Sequence, residues 1–257
     1  MTKFSAEQAL SYAAELLTQR YVGAEFCLAA GSIVHEYAGE HSDLDLVVLF
    51  RELKCAFRES FQYRSMPVEA FVHDYETIQA FMDSDYRSAH PVIIHMIATG
   101  KVVGAETEIS RRLQGYARAL FDVGPEQTTE TKSKALRYAA SELIEDLRDD
   151  RTPHEVRAIL YGLYETLGEL RLRKSRSYIG TGKHLARMLR ACDPAFAETL
   201  DGVMIAAHAG GLRGEHVAQL VALLDTLGGQ LFDGYRQDAP AEMREKARWS
   251  LSAGNRV

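Results

Sequence analysis

Nowhere in the 257 residues is there a run of 18 uncharged apolar residues, about the length a helix needs to cross a bilayer. The opening MTKFSAEQALSYAAELL also lacks the apolar centre of a secretory signal. A soluble, cytoplasmic protein with no membrane partner is therefore expected. Cysteine is scarce: Cys27, Cys55 and Cys192 are odd in number and far apart, with no C-x-x-C pair and no histidine-rich companion. That usage fits neither a disulfide framework nor a structural zinc site, and it suits a reducing compartment. Proline is rare, at 6 residues, and glycine, at 19, is ordinary, which excludes collagen-like and disordered chains. Internal repeats and low-complexity tracts are missing too. Surplus positive charge is absent: 30 Lys+Arg stand against 36 Asp+Glu, for a net charge of −6. Sequence-independent binding to nucleic acid draws on excess Lys and Arg, so nucleic acid is disfavoured as a partner, RNA as an acceptor of added nucleotides included.

What is present is apolar material, 46% of the chain, enough for the cores of two modest domains. The pattern changes near residue 120, where net charge goes from −5 before to −1 after. Before it, strand signals alternate with helical ones. Ser5 and Gln8 have the spacing of a capping box and open a helix to about Arg20, with Leu10, Ala13, Ala14 and Leu17 on its buried stripe. AEFCLAA (24–30), DLDLVVLF (43–50) and VEAFVH (68–73) read as strands. After TGKVVG (99–104) the signals are helical, near 106–121, 130–149, 153–175, 183–191, 194–208, 213–233 and 240–250, with short Gly, Pro or Asp punctuation. The expected architecture is an α/β (α+β) domain with a mixed sheet over 1–120, then an all-α helical bundle over 121–257.

The chemistry concentrates in AAGSIVHEYAGEHSDLDLVVLF (29–50). Asp43 and Asp45 alternate with Leu44 and Leu46, so on a strand both carboxylates leave one face, about 7 Å apart, and both leucines the other. Two carboxylates on a buried strand are costly without a cation between them, and magnesium with oxygen ligands answers that need. Just upstream, Gly31 allows the backbone to approach a phosphate, and the Ser32 hydroxyl with its neighbouring amides can bind it.

These residues resemble the polymerase-beta-type nucleotidyltransferases. Their signature is a G-[GS] turn followed after about ten residues by D-h-[DE]-h on a strand, and here Gly31-Ser32 precedes Asp43-Leu44-Asp45-Leu46 by ten residues. The family's third carboxylate stands on a later strand, where Glu69 in PVEAFVHD matches; Asp74, at the end of the same strand, is the second candidate. His41 stands where many relatives carry a basic or small residue. The helical half resembles, in general character only, bacterial small-molecule (antibiotic-type) nucleotidyltransferases. The resemblance implies two magnesium ions held by Asp43, Asp45 and Glu69, with Glu69 taking the acceptor's proton and Ser32 gripping the β/γ phosphates of ATP or another NTP. It further implies transfer of a nucleoside monophosphate, AMP from ATP foremost, to a hydroxyl of a small molecule such as an antibiotic. A homodimer is compatible with it. A second reading, of another class, is a nucleotide-binding, antitoxin-like or regulatory partner that holds or modifies a protein.

Two charged segments in the helical half bear on the substrates. RLRKSRSYIGTGKHLARMLR (171–190) has seven Lys or Arg and no acid, and Lys183 after Gly182 can reach a triphosphate. ELIEDLRDD (142–150) puts Glu142, Glu145, Asp146 and Asp149 on one helical face, which would suit a cationic acceptor or simply face water.

Overall fold

The computed structural model describes residues 4–34, 42–209 and 211–245. Helix α1 (Ala6–Gln19) opens on the expected capping box: Ser5 Oγ accepts from Gln8 N at 3.1 Å, and Gln8 Oε1 accepts from Ser5 N at 2.9 Å. Its buried stripe is Ala9, Ala13 and Leu16. Leu10 and Leu17 flank that stripe and Ala14 is exposed, so the helix is turned by about one residue from the sequence reading.

Five strands follow: β1 (Phe26–Ala30), β2 (Leu44–Leu49), β3 (Phe57–Tyr63), β4 (Met66–His73) and β5 (Lys101–Val103). They form one mixed sheet in the order β3-β4-β2-β1-β5, in which β2 and β4 run parallel and the other neighbours antiparallel. Alternation splits each central strand between two cores. Leu44, Leu46, Val48, Val68, Ala70 and Val72 meet α1 on one face. Phe26, Leu28, Val47 and Leu49 meet the other face's helices, namely Ile78 and Met82 of α2 (Tyr75–Ser88), Ile93, Ile94 and Ile97 of α3 (Val92–Thr99) and Ala117 of α4 (Glu108–Val123). Burial on both faces explains why β2 is an unbroken apolar run from Leu46 to Leu49.

The remaining elements are α5 (Glu130–Asp146), α6 (Pro153–Lys174), α7 (Lys183–Cys192), α8 (Pro194–Ala209), α9 (Gly214–Thr226) and the short α10 (Glu242–Glu245). α5 buries Leu136, Ala140 and Ile144 and packs against α9, which buries Val217, Leu220 and Leu224. The helix expected over 213–233 stops at Thr226, because Gly228 and Gly229 take φ of 117° and 79°, outside the right-handed helical region. Of the helix expected over 240–250, the part beyond 245 lies outside the described residues. Among the described residues no helix is long and apolar enough to cross a membrane.

The chain divides into two compact units, residues 1–127 with 171–194 and residues 128–170 with 195–257. A single cut at 120 assigns the 171–194 segment to the helical bundle, whereas its contacts tie it to the sheet-bearing unit. Ile179 N donates to Ala89 O at 2.7 Å, and Ile179 O accepts from the His90 ring at 3.0 Å. Tyr178 donates to Leu120 O at 3.1 Å while its ring stacks on Phe121, 5.6 Å between centroids.

Candidate active site

The strand register builds the site. Asp45 is paired with Ala30 of β1 and with Glu69 of β4, and Glu69 with Ser60 of β3. Directly opposed residues share a face, so Ser60, Glu69, Asp45 and Ala30 form one row across four strands. Leu44 and Leu46, on the opposite face, anchor β2 in the α1 core and thereby fix which way Asp45 projects. Asp43 lies two residues before Asp45, is exposed, and is close enough for its charge to act on Asp45.

Chain turns at Gly31 straight after this row. Its φ is +79°, and a Cβ there would collide with the Asp45 carboxylate. The left-handed conformation is what favours glycine here, and any side chain would also have to displace the Asp45 carboxylate. Ser32 opens a 3-10 turn, Ser32–Val34, pinned by buried Ile33 and Val34. Its hydroxyl hydrogen-bonds that of Ser42 at 2.8 Å, which brings the residue before Asp43 back against the turn. His41 lies outside the described residues.

Electrostatics single out Asp45. Burial, the charge of Asp43 and the charge of Glu69, in that order, push its carboxyl up to about 7, and the positive charges of Arg58 and Lys183 offset part of the rise. Glu69 is already engaged: it is ion-paired with Arg58 and accepts from Ser60 Oγ at 3.2 Å. The Arg58 guanidinium rests 4.8 Å from the Phe71 ring centroid, a cation-π seat two residues along β4 from Glu69. Lys183, the first residue of α7, sits after Gly182, whose φ is +52°.

A metal's fit follows from this donor set. Asp43 and Asp45 supply the hard oxygen ligands that magnesium takes, beside a carboxylate whose repulsion two nearby cations relieve only in part. Yet among the described residues no group of three or more His, Cys, Asp or Glu side chains is arranged to hold a metal ion. Glu69, the third expected ligand, faces Arg58 instead.

No protein-family model matches the chain, and no curated protein does. A solved structure is similar to it. This is the crystal structure of a nucleotidyltransferase-like protein from Exiguobacterium sibiricum 255-15, at a TM-score of 0.46 and 12% sequence identity, covering 84% of this chain and 70% of that one.

Structure brings Gly31, Ser32, Asp43, Asp45, Glu69 and Lys183 into one compact unit. Asp74 is a different matter. It caps α2, accepting from Thr77 N at 2.9 Å and from Leu53 N at 3.0 Å, and these bonds hold its carboxyl below the usual range. In the basic segment, Arg171 pairs with Asp193 at 2.8 Å and Arg173 donates to Ser88 O at 3.0 Å; Lys183 is the member whose charge is felt at Asp45. On the acidic face, Glu145 pairs with Arg148 at 3.0 Å, and Arg151 joins Asp146 at 3.0 Å and Asp149 at 3.2 Å. Two arginines thus engage three of those four carboxylates, which lowers the charge of this face but leaves it acidic. Sequence reasoning missed Arg58. Its strand, FRESFQY (57–63), is an edge strand with mostly exposed residues and so carries a weak apolar pattern.

Proposed function

We propose that the chain is a magnesium-dependent nucleotidyltransferase that moves the nucleoside monophosphate of ATP onto a hydroxyl of a small molecule. The observation that carries this reading is the pairing of Asp45 with Glu69 on parallel neighbours, with Gly31 turned against the Asp45 carboxylate. A cluster of acids that repel one another, beside a turn with no side chain in the way, is suited to a polyanion that arrives with its own cations. Asp43 and Asp45 would hold magnesium, with Glu69 as a further carboxylate. When bound, magnesium supplies charge neutralisation of the phosphates and acidifies a coordinated hydroxyl. Ser32 and the amides of its turn donate to the β/γ phosphates, and Lys183 adds positive charge on the same side. Glu69, released by Arg58, accepts the proton of the acceptor hydroxyl as its oxygen bonds the α-phosphorus and pyrophosphate leaves.

The test is pyrophosphate release and transfer of label, with each labelled NTP and magnesium, across a panel of hydroxyl compounds that includes aminoglycosides and lincosamides. ATP should give label on an acceptor, and Asp45→Asn should lower the rate by at least about 10²-fold, the scale of losing charge stabilisation in the transition state. Nucleotide binding without pyrophosphate from any NTP would contradict the reading. That outcome favours the second one, a nucleotide-binding regulatory or antitoxin-like partner, for which the engagement of Glu69 by Arg58 is the supporting observation.

A further inference from the structure

The Arg58–Glu69 pair is more than a surface ion pair in the wrong place. Its partners come from edge strand β3 and from β4: Glu69 stands next to Asp45 in the row across the sheet, and Arg58 reaches it from two residues before Ser60, the β3 member of that row. Arg58 is 60% exposed and Glu69 23%, and an ion pair that open to water contributes little to stability. Two further contacts nevertheless hold its members in position: Ser60 Oγ donates to Glu69 at 3.2 Å, and the guanidinium lies over Phe71 at 4.8 Å. Arg58 also acts electrostatically on Asp45, one strand further on. A positioned positive charge therefore stands where the acid cluster would otherwise recruit a cation.

We propose that Arg58 is a built-in countercation that occupies Glu69 in the resting protein and competes with a divalent cation for this end of the acid cluster. The proposal rests on the reading of Asp43 and Asp45 as cation ligands. Its consequence is an order of events. While Arg58 stays on Glu69, the site is weak for divalent cations; an arriving triphosphate offers the guanidinium a bidentate partner of higher charge, and Glu69 is freed as the phosphates are gripped. Coupling of that kind keeps the third carboxylate from working before nucleotide is in place. Removing the Arg58 charge opens the cluster prematurely.

Manganese alone, titrated without nucleotide and followed by the spin-resonance signal of the free ion, tests this on the full chain. Arg58→Met keeps an apolar stem on Phe71 and deletes the charge; Arg58→Lys keeps the charge. Arg58→Met should bind manganese at least about tenfold more tightly than the wild type, since a unit charge within contact distance of the cluster opposes a divalent ion by more than that factor at an effective dielectric of ~20. Arg58→Lys should stay within about threefold of the wild type, charge alone being retained. Equal affinity in wild type and Arg58→Met, with Asp45→Asn weaker than both, overturns the role of Arg58 and leaves the site reading standing. A gain in Arg58→Lys as large as in Arg58→Met overturns it too, because packing rather than charge would be responsible. Absence of manganese binding in all four proteins overturns this proposal, and the site reading then stands or falls on ATP titrated with magnesium and in EDTA.

Discussion

Asp45 is a carboxylate that folding makes hard to ionise. Its folded value of about 7 lies above the ordinary 3.8, so the protonated form is the one the fold favours. The stability this contributes is present below about pH 4 and is lost as pH rises towards 7. Asp45→Asn should therefore leave the cation-free protein about as stable as wild type near pH 4 and make it more stable at pH 8, by on the order of 1–3 kcal/mol. Melting temperatures at the two pH values, in EDTA, measure it; a loss of stability at pH 8 would mean that Asp45 belongs to a structural ion pair. Gly31 is the second residue whose chemistry is fixed by its neighbours. Gly31→Ala places a methyl group against the Asp45 carboxylate at a φ of +79°, which should cost about 1–3 kcal/mol of stability. Magnesium-dependent ATP binding should suffer further, because the added methyl group displaces the Asp45 carboxylate. Denaturant unfolding and calorimetry together check this, and wild-type behaviour in both would show that the turn yields without consequence.

Individual elements differ in how much of them could be read from the sequence. β2 was legible because burial on both faces leaves an apolar run with two aspartates at its start, and α1 because its capping box is local. Strand β3 was not. It lies at the sheet edge with alternate residues in water, and its turn to β4 uses Arg64 and Ser65 at φ of 48° and 68° where Asn-Gly would have announced a hairpin. Missing β3 meant missing Arg58 and Ser60, hence the true surroundings of Glu69. Similarly, the sequence showed α7 as a basic helix but not its place beside the sheet, because that depends on Tyr178 and Ile179 meeting residues some ninety positions away and nearer, through bonds to Ala89 and Leu120. A prediction follows for this element. Tyr178→Ala removes a buried ring stacked on Phe121 and should destabilise the sheet-bearing unit by about 3–5 kcal/mol. Hydrogen exchange should then rise across α7 together with α4, while α5 and α9 keep their protection. Loosening of α5 and α9 instead would put 171–194 with the helical unit.

At the scale of the whole chain, the candidate site is confined to one of the two compact units. Every candidate site residue named above belongs to the unit made of 1–127 and 171–194, although residues 128–170, which belong to the other unit, lie between Asp45 and Lys183 in the sequence. With a net charge of −6, the proposed affinity for a triphosphate would have to be generated locally, by a cation and a few donors, rather than by the field of the molecule. Calorimetric titration of ATP into the full chain measures that claim most directly. With magnesium present, the wild type should bind at least about tenfold more tightly than in EDTA, where Asp43, Asp45 and Glu69 repel the unshielded phosphates; Asp45→Asn in magnesium should lose most of that gain. Equal affinity with and without the divalent ion, unchanged by Asp45→Asn, would contradict the assignment of these carboxylates as the nucleotide's cation site.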